Sequence, residues 1–296
     1  MINMSKVIVI CGPTAVGKTK LSVELAKHLN GEIINADSTQ VYRLMNIGTA
    51  KVTEEEKEGI PHHLFDIKNI DEEYTVYDYQ RDCRKIIDDI ISRGKTPILV
   101  GGTGLYIKAA LYDYNFNDED KSYTYDEYTN EALYQELLKV DPNTDIHPNN
   151  RKRVERAITY YRNHNKPMSS NEKSENKLYD VVFIGLTTDR ELLYDRINKR
   201  VDKMVADGLI EEAKSLYDLH IDSRALLTPI CYKELFMYFE GILTLDESLD
   251  LIRQRSRKYA KRQYTWFRHQ LDVKWYEVDF NNFNNTINKV IEDLNK

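Results

Sequence analysis

The sequence is poor in cysteine. Cys11, Cys83 and Cys231 are the three cysteines among 296 residues, and they are far apart and never form a C-x-x-C pair. Such spacing argues against a disulfide framework or a zinc site and is typical of a reducing compartment. No apolar run is long enough to span a membrane, and the first residues lack the pattern of a signal peptide. We therefore expect a cytoplasmic protein without a membrane partner.

The chain also lacks an excess of positive charge: its 42 Lys and Arg residues are outnumbered by 48 Asp and Glu residues, and the formal net charge of −6 argues against a uniformly basic nucleic-acid-binding protein. The cations are concentrated in residues 151–156, 196–203 and 252–271, and the last of these stretches contains no acidic residue. Aromatic side chains are interleaved with the cations of that stretch, namely Tyr259, Tyr264, Trp266 and Phe267. Cations mixed with aromatics favour phosphate contact and base stacking, although a solvated helix face with a packed aromatic ridge has the same pattern. We interpret the stretch as an RNA-facing groove.

The clearest motif is a glycine-rich loop that matches G-x-x-x-x-G-K-[ST] at every position. Its members are Gly12, Pro13, Thr14, Ala15, Val16, Gly17, Lys18 and Thr19. A short β-branched run precedes the loop and an amphipathic helical pattern follows it, which is the context that this motif requires. Backbone N–H groups can then cradle a phosphate, Lys18 adds a point charge, and the Thr19 hydroxyl is suited to Mg²⁺. The loop predicts a diphosphate or polyphosphate site with Mg²⁺ as cofactor, whereas a coincidental glycine turn is the alternative.

Two more predicted strands end in polar residues. Residues 32–36 lead into Asp37, and residues 96–100 lead into a glycine-rich turn that carries Thr103. Ligands in open α/β sheets bind beyond the carboxyl ends of the strands, so both side chains are expected beside the phosphate loop. Asp37 could accept a proton or hold a metal there, or it could simply cap a helix. The adjacent His62 and His63 favour structural hydrogen bonding over metal binding, because no second His or Cys cluster accompanies them.

The character of the chain changes near residue 113. Residues 113–128 are acidic, rich in tyrosine and without apolar periodicity, and helical patterns follow until a strand-like run at residues 181–186. We predict a mostly helical insertion domain at residues 113–178. The core, residues 1–112 and 179–296, is predicted to be an α/β, P-loop NTPase-like parallel sheet flanked by helices, with residues 190–219 forming a long helical region. We expect the protein to be a monomer.

Taken together, the motifs resemble those of the tRNA dimethylallyltransferases (tRNA isopentenyltransferases). The resemblance covers nearly the whole chain. Besides the phosphate loop it rests on D-S-x-Q-V-Y (37–42), G-T-A-K (48–51), H-H-L-x-D (62–66), G-G-T-G-L-Y (101–106), N-N-R (149–151), R-I-N-x-R-V-D (196–202), Y-K-E (232–234) and R-Q-x-T-W-F-R (262–268). Each motif alone is modest support, but the order and the gaps are specific.

The resemblance implies transfer of a dimethylallyl group from dimethylallyl diphosphate to the exocyclic N6 amine of the adenine just 3′ of a tRNA anticodon. Asp37 would be the general base, Lys18 and Mg²⁺ would stabilise the leaving diphosphate, and the adenine would be flipped out of its stack. We therefore count Asp37, Lys18, Thr19 and Thr14 as candidate catalytic residues. The resemblance also implies contacts with the tRNA anticodon stem-loop from Asp37, Ser38, Thr39, Gln40, Thr103, Arg151, Arg153, Arg156, Arg262, Trp266 and Arg268.

The chain departs from this family at two positions. Cys231 stands before the Tyr-Lys pair, where the family commonly has glycine, and Thr228 stands where an arginine is often found. The second cation for the diphosphate is therefore open among Arg196, Arg200 and Arg224.

Two other classes of protein could carry the same loop. A P-loop kinase acting on a small metabolite could use Asp37 to deprotonate a hydroxyl, but Gly101 stands where an acid would be expected and the basic last third would have no use. A non-catalytic RNA-binding P-loop protein would not need Lys18, Thr19 and Asp37. We favour the transferase.

Overall fold

A six-stranded sheet, all parallel, forms the centre of the molecule in a computed structural model that describes residues 6–114, 121–170 and 176–296. The strands are β1 (Lys6–Cys11), β2 (Gly31–Asn35), β3 (His62–His63), β4 (Thr96–Val100), β5 (Asp180–Thr187) and β6 (Lys274–Glu277). Their order across the sheet is β3-β2-β4-β1-β5-β6. The predicted fold, a parallel sheet flanked by helices, is confirmed.

Helices account for much of the remaining described chain. They are α1 (Lys18–His28), α2 (Glu54–Lys57), α3 (Val76–Ser92), α4 (Gly104–Leu111), α5 (Asn130–Val140), α6 (Arg151–His164), α7 (Arg190–Ala206), α8 (Leu209–Tyr217), α9 (Arg224–Leu227), α10 (Tyr232–Phe239), α11 (Leu245–Gln270) and α12 (Phe283–Leu294). A short 3₁₀ helix covers Met168–Ser170. Within the described ranges, every helix is too short or too polar to cross a bilayer.

Strand β1 lies in the middle of the sheet and is covered on both faces. It pairs with β4 on one side and β5 on the other, with Ile8 opposite both Ile98 and Val182. Successive side chains of a strand point to opposite faces. Val9 accordingly packs in the cluster that includes Ile87 of α3, while Ile8 packs with the cluster of α1 and α12. This double burial explains why β1 is a continuous apolar run and why α1 starts directly beyond its carboxyl end.

The structure adds detail to two local predictions. Residues 190–219 form two helices rather than one, because the chain breaks at Gly208, whose φ of 102° is accessible mainly to glycine. The two histidines form the edge strand β3, which pairs with Ile33 and Ile34 of β2. The His63 Nε2 lies 2.8 Å from the buried Glu32 carboxylate, so this pair is used structurally, as predicted.

The chain divides into two compact units, residues 1–112 with 177–296, and residues 113–176. The second unit contains α5 and α6, whose facing sides bury Leu133, Leu137 and Val154 in a separate small core. Its acidic, tyrosine-rich segment includes residues 115–120, and its polar segment includes residues 171–175. Both of these ranges lie outside the described residues.

Cys231, at the start of α10, has a backbone conformation that favours glycine. Its φ is 112°, and its side chain is buried. We expect Cys231→Gly to be more stable than Cys231→Ala by about 1–2 kcal/mol, because both lose the thiol but only alanine keeps the strained Cβ. Urea unfolding measures the difference. The matched control is the buried Cys83 inside α3, where glycine should instead be about 1 kcal/mol less stable than alanine. If the glycine variant were more stable than the alanine variant at both positions, or less stable at both, backbone strain at Cys231 would be contradicted.

Candidate active site

The glycine-rich loop turns sharply between β1 and α1. Gly12 has a φ of 131°, and a Cβ there would lie 2.7 Å from the Leu186 carbonyl oxygen. Gly17 precedes α1 with a φ of 93°, and a Cβ there would collide with the Phe283 ring at 2.6 Å. The motif glycines are therefore required by backbone conformation and by close neighbours on β5 and α12. The loop brings the first N–H groups of α1 to the carboxyl edge of the sheet, where they can bind an anion.

Lys18 folds back over this loop. Its Nζ donates hydrogen bonds to the carbonyl oxygens of Gly12 at 3.1 Å and Pro13 at 2.7 Å. Burial and, to a smaller extent, the nearby positive charge of Arg200 lower the pKa of Lys18 to about 8, while the Asp37 carboxylate opposes this shift. A lysine in such a place gains most from an anion, which would replace the lost hydration.

The pKa of Lys18 predicts a pH dependence of anion binding. The ammonium loses its proton as pH rises through about 8, so the charged form dominates below that value. We expect the affinity for inorganic diphosphate to fall about tenfold between roughly pH 7 and pH 9, as one proton is lost. Calorimetric titration measures it. A Lys18→Arg variant stays charged and therefore reports the titration of diphosphate alone. Identical profiles for the two proteins would contradict the prediction.

Helix α7 supplies two arginines to the same loop. The Arg200 Nη1 donates to the Thr14 Oγ1 at 3.0 Å, and the Arg196 Nε donates to the Ala15 carbonyl oxygen at 3.0 Å. These arginines are four residues apart and thus share one face of the helix. The guanidinium of Arg196 also lies 3.7 Å from the centroid of the Phe280 ring. Arg224 is exposed on α9, away from these contacts. Of the three candidates for a second cation, Arg200 is the one whose positive charge lowers the pKa of Lys18. Burial lowers the pKa of Arg200 itself.

Asp37 follows β2 and is held in a local turn. Its Oδ1 accepts hydrogen bonds from the Thr39 N–H at 3.0 Å and the Thr39 hydroxyl at 2.8 Å, and its own N–H donates to the Asn35 side chain. It caps no helix. The Oδ2 atom receives no hydrogen bond from the described residues and lies 3.9 Å from the place of a Cβ on Gly102. One oxygen of this carboxylate is therefore fixed while the other is available, and its charge is felt by Lys18 across the site.

The residues around Asp37 divide into two groups. Thr103 accepts the Ser38 N–H on its Oγ1 at 3.0 Å and donates to the Ser38 hydroxyl at 3.3 Å, so these two predicted site residues lie together. Gln40 instead donates from Nε2 to the Thr49 carbonyl oxygen at 2.9 Å, which supports the neighbouring loop. Hydrogen bonds thus link Asp37 to Thr39 and Ser38 to Thr103, as predicted neighbours, whereas Gln40 is bonded to the loop beside them.

Glu212 explains why the G-T-A-K and Y-K-E motifs accompany the site. Its carboxylate accepts three consecutive backbone N–H groups, from Asn46 to Gly48, at 2.8–3.0 Å, and also the Tyr232 hydroxyl at 2.8 Å. A Cβ on Gly48 would lie 2.6 Å from the Tyr232 ring. The two motifs therefore meet through one glutamate on α8. Sequence reasoning missed this glutamate because no motif contained it.

Helix α11 lies across the site, and its central glutamine was not among the predicted site residues. The buried Gln263 accepts the Thr14 N–H on Oε1 at 3.2 Å and donates from Nε2 to the Gly102 carbonyl oxygen at 3.2 Å. Trp266 packs on Gly104, where a Cβ would lie 2.1 Å from the indole ring. The sequence signal was the helical spacing of Tyr259, Gln263 and Trp266, which places them on one face.

The predicted RNA-contacting arginines differ in their surroundings. Arg262 and Arg268 are exposed on α11 and lie over the rings of Tyr259 at 5.7 Å and Tyr264 at 5.3 Å. In the second unit, Arg151 donates to the carbonyl oxygens of residues 125 and 128 and so holds its own unit together. The other two arginines of α6, Arg153 and Arg156, are exposed and have no ion-pair partner in the described part of the chain.

The residues at the loop fit a magnesium ion only together with a phosphate ligand. The described residues contain no cluster of three or more His, Cys, Asp or Glu side chains that could hold a metal. The Thr19 hydroxyl in the first turn of α1 is a hard oxygen donor, which Mg²⁺ prefers. Mg²⁺ commonly keeps waters and takes its other ligands from a bound phosphate. The donor set therefore suits Mg²⁺ delivered with a diphosphate.

A glycine-rich loop of P-loop sequence between a central parallel strand and a helix, with a carboxylate at the end of a neighbouring strand, defines a P-loop-like fold. Comparison with known proteins identifies the family within this class. A family model described as IPP transferase matches residues 40–270. The chain therefore belongs to the IPP transferase family.

Individual relatives agree with this assignment. A tRNA dimethylallyltransferase of Anoxybacillus flavithermus is 49% identical over 97% of this chain and 95% of its own. The crystal structure of a tRNA isopentenylpyrophosphate transferase from Bacillus halodurans is 44% identical, with a TM-score of 0.77 over 98% of this chain and 95% of that one. A eukaryotic dimethylallyltransferase, described as acting on tRNA, is 31% identical, with a TM-score of 0.86 over 97% of this chain and 77% of that one.

Proposed function

We propose that this protein transfers a dimethylallyl group from dimethylallyl diphosphate to the N6 amine of the adenine 3′-adjacent to the anticodon of tRNA, and releases diphosphate. The observation that carries the proposal is the open Oδ2 of Asp37 at the carboxyl edge of the sheet, within electrostatic reach of Lys18 on the phosphate loop. A group that can take a proton and a cradle that can take a leaving anion thus share one crevice. Family membership favours this reading over a small-metabolite kinase.

The donor side of the site binds the diphosphate. The loop N–H groups, Lys18 and Arg200 would hold its oxygens, and Arg196 would keep the loop in shape through the Ala15 carbonyl. The Thr19 hydroxyl would hold Mg²⁺ against the same anion. When bound, the ion supplies further stabilisation of the charge that develops on the leaving group. Lys18 would then exchange its two carbonyl partners for phosphate oxygens.

The acceptor side activates the amine. The N6 lone pair attacks C1 of the dimethylallyl group, the C1–O bond breaks, and its electron pair leaves with the diphosphate. The surplus proton on N6 passes to the Oδ2 of Asp37, while Thr39 holds Oδ1 in place. Ser38 and Thr103 would contact the flipped adenine from the same edge.

A basic cavity on α11 and its neighbours supports an RNA path. It has a volume of about 550 Å³, and its lining includes four cations, Lys233, Arg255, Lys258 and Arg262. Glu234 pairs with one of them, Arg255, so positive charge remains in excess. Cations in such a cavity suit backbone phosphates of the stem-loop. We propose that Arg262, Arg268, Arg153 and Arg156 contact RNA directly, and that Arg151 and Trp266 support their own elements. Because one chain supplies the whole site, we propose a monomer, acting in the cytoplasm.

The test is an assay of the product. The protein and Mg²⁺ are incubated with an anticodon stem-loop and either dimethylallyl diphosphate or ATP, and the RNA is weighed by mass spectrometry. We expect a gain of one dimethylallyl unit with the first donor only. A stem-loop carrying inosine in place of the adenine is the matched control, because it lacks the exocyclic amine. ATP turnover with a small hydroxyl compound, and no gain on RNA, would instead identify a kinase.

A further inference from the structure

We propose that Gln263 is a positioning residue, which ties the loop that holds the leaving diphosphate to the loop that faces the acceptor amine. This inference rests on the proposed function for its kinetic consequence, although the tie itself is a property of the free protein. The roles proposed above for the phosphate loop and for Asp37 do not include Gln263. Among the described residues, Gln263 forms no hydrogen bond with Lys18 or Asp37, and it would act through Thr14 and Gly102.

The contacts of Gln263 join segments that are far apart in the chain. Its Oε1 accepts the N–H of Thr14, 249 positions earlier, and its Nε2 donates to the carbonyl oxygen of Gly102. Thr14 belongs to the phosphate loop, and Gly102 follows β4. The side chain is about 5% exposed, so water competes little for these bonds.

The two contacts determine which way the amide must face and which side chains could replace it. A backbone N–H needs an acceptor and a backbone carbonyl needs a donor, and the glutamine amide supplies both from one position. Glutamate could accept the Thr14 N–H, but its second oxygen would face the Gly102 carbonyl oxygen. Methionine fills a similar volume and makes neither bond. Leaving these backbone groups unpaired when buried is unfavourable.

The loop after β4 approaches α11 closely at Gly102. A Cβ on Gly102 would lie 2.0 Å from the Nε2 of Gln263. The nearest atom of any other residue beyond the two chain neighbours, the Asp37 Oδ2, would lie 3.9 Å away. Gly102 lacks a positive φ, so backbone strain does not require glycine there. The Gln263 amide is therefore the group that a side chain at position 102 would displace. Tyr259, one turn earlier, also interacts with Thr103 and with Gln263, which extends the same contact.

The consequence is a fixed distance between the two halves of the reaction. Transfer needs the amine, C1 and the leaving oxygen to be aligned, and a misplacement of about 1 Å can cost roughly 10²-fold in rate. Loss of the tie should let the two loops shift against each other. We therefore expect kcat to fall while the KM values for dimethylallyl diphosphate and stem-loop change by less than about threefold.

A double-mutant cycle of Gly102→Ala and Gln263→Ala tests this proposal. Each single change should lower kcat by about 10²-fold, because alanine at position 102 displaces the amide and alanine at position 263 removes it. The double variant should be no worse than either single variant, since the displaced group is already gone. Gln263→Met keeps the packing without the bonds and should be as slow as Gln263→Ala. Gln270→Ala, at the exposed end of the same helix, is the control and should behave as wild type.

A second readout does not depend on transfer. Amide hydrogen exchange at Thr14 should speed up in Gln263→Ala, in Gln263→Met and in Gly102→Ala, and the double variant should match Gln263→Ala. Additive effects in the cycle, recovery of kcat by methionine, or unchanged exchange at Thr14 would each overturn the proposal. A wild-type protein that lacks transfer activity would contradict the proposed function, and the exchange cycle would still decide on the tie.

Discussion

Lys18→Ala is expected to lower dimethylallyl transfer by about 10²–10³-fold, as does the loss of a preorganised donor to a developing anion elsewhere. Lys18 is the cation placed inside the phosphate loop, with its Nζ within 3.1 Å of two loop carbonyl oxygens. The diphosphate gains negative charge as the C1–O bond breaks, so Lys18 should matter more in the transition state than in the ground state. We expect kcat to fall further than the affinity for dimethylallyl diphosphate.

The control for this variant is Lys20→Ala on the same helix. The Lys20 side chain is exposed, and its Nζ lies 5.3 Å from the centroid of the Phe283 ring rather than in the loop. Steady-state kinetics on the stem-loop and calorimetric binding of inorganic diphosphate separate rate from affinity. A Lys18→Ala enzyme with a normal kcat would show that the leaving group is stabilised elsewhere, with Arg200 as the first candidate.

Asp37→Asn is expected to lower kcat by about 10²–10⁴-fold, the usual contribution of a general base. The substitution keeps the shape of the side chain, and an amide oxygen can still accept the two hydrogen bonds from Thr39. The amide nitrogen that replaces the Oδ2 of Asp37 can no longer accept a proton. We therefore expect the fold and the stability to change little, and single-turnover transfer on the stem-loop to be the step that is lost.

The matched control is Asp71→Asn, an exposed aspartate without an ion-pair partner in the described ranges. Thermal unfolding of both variants shows whether either is destabilised. If Asp37→Asn retains transfer within about tenfold of wild type, the amine needs no protein base, and alignment carries the rate. The transferase function would stand in that case, and only the role of Asp37 would fall.

The local elements of the site could be read from the sequence. A β-branched run, a glycine loop and an amphipathic helix follow each other without interruption, and short-range backbone rules link them. Asp37 and Thr103 could be placed too, because parallel strands bring their carboxyl ends to one edge. Gly208 shows the limit of such reading. Its left-handed φ splits residues 190–219 into two helices, although the apolar spacing continues across it.

The sequence by itself determined that this chain has a phosphate loop on a parallel sheet, and its motifs indicated the family. Only the tertiary structure decided which distant side chains complete the site. Arg196, Arg200 and Arg224 were equivalent as sequence, and packing of α7 placed Arg200 on Thr14, 186 positions away. Gln263 reaches Thr14 across 249 positions in the same way. Contacts within a few residues follow from backbone periodicity, whereas these contacts depend on how whole helices pack, and no local pattern encodes that.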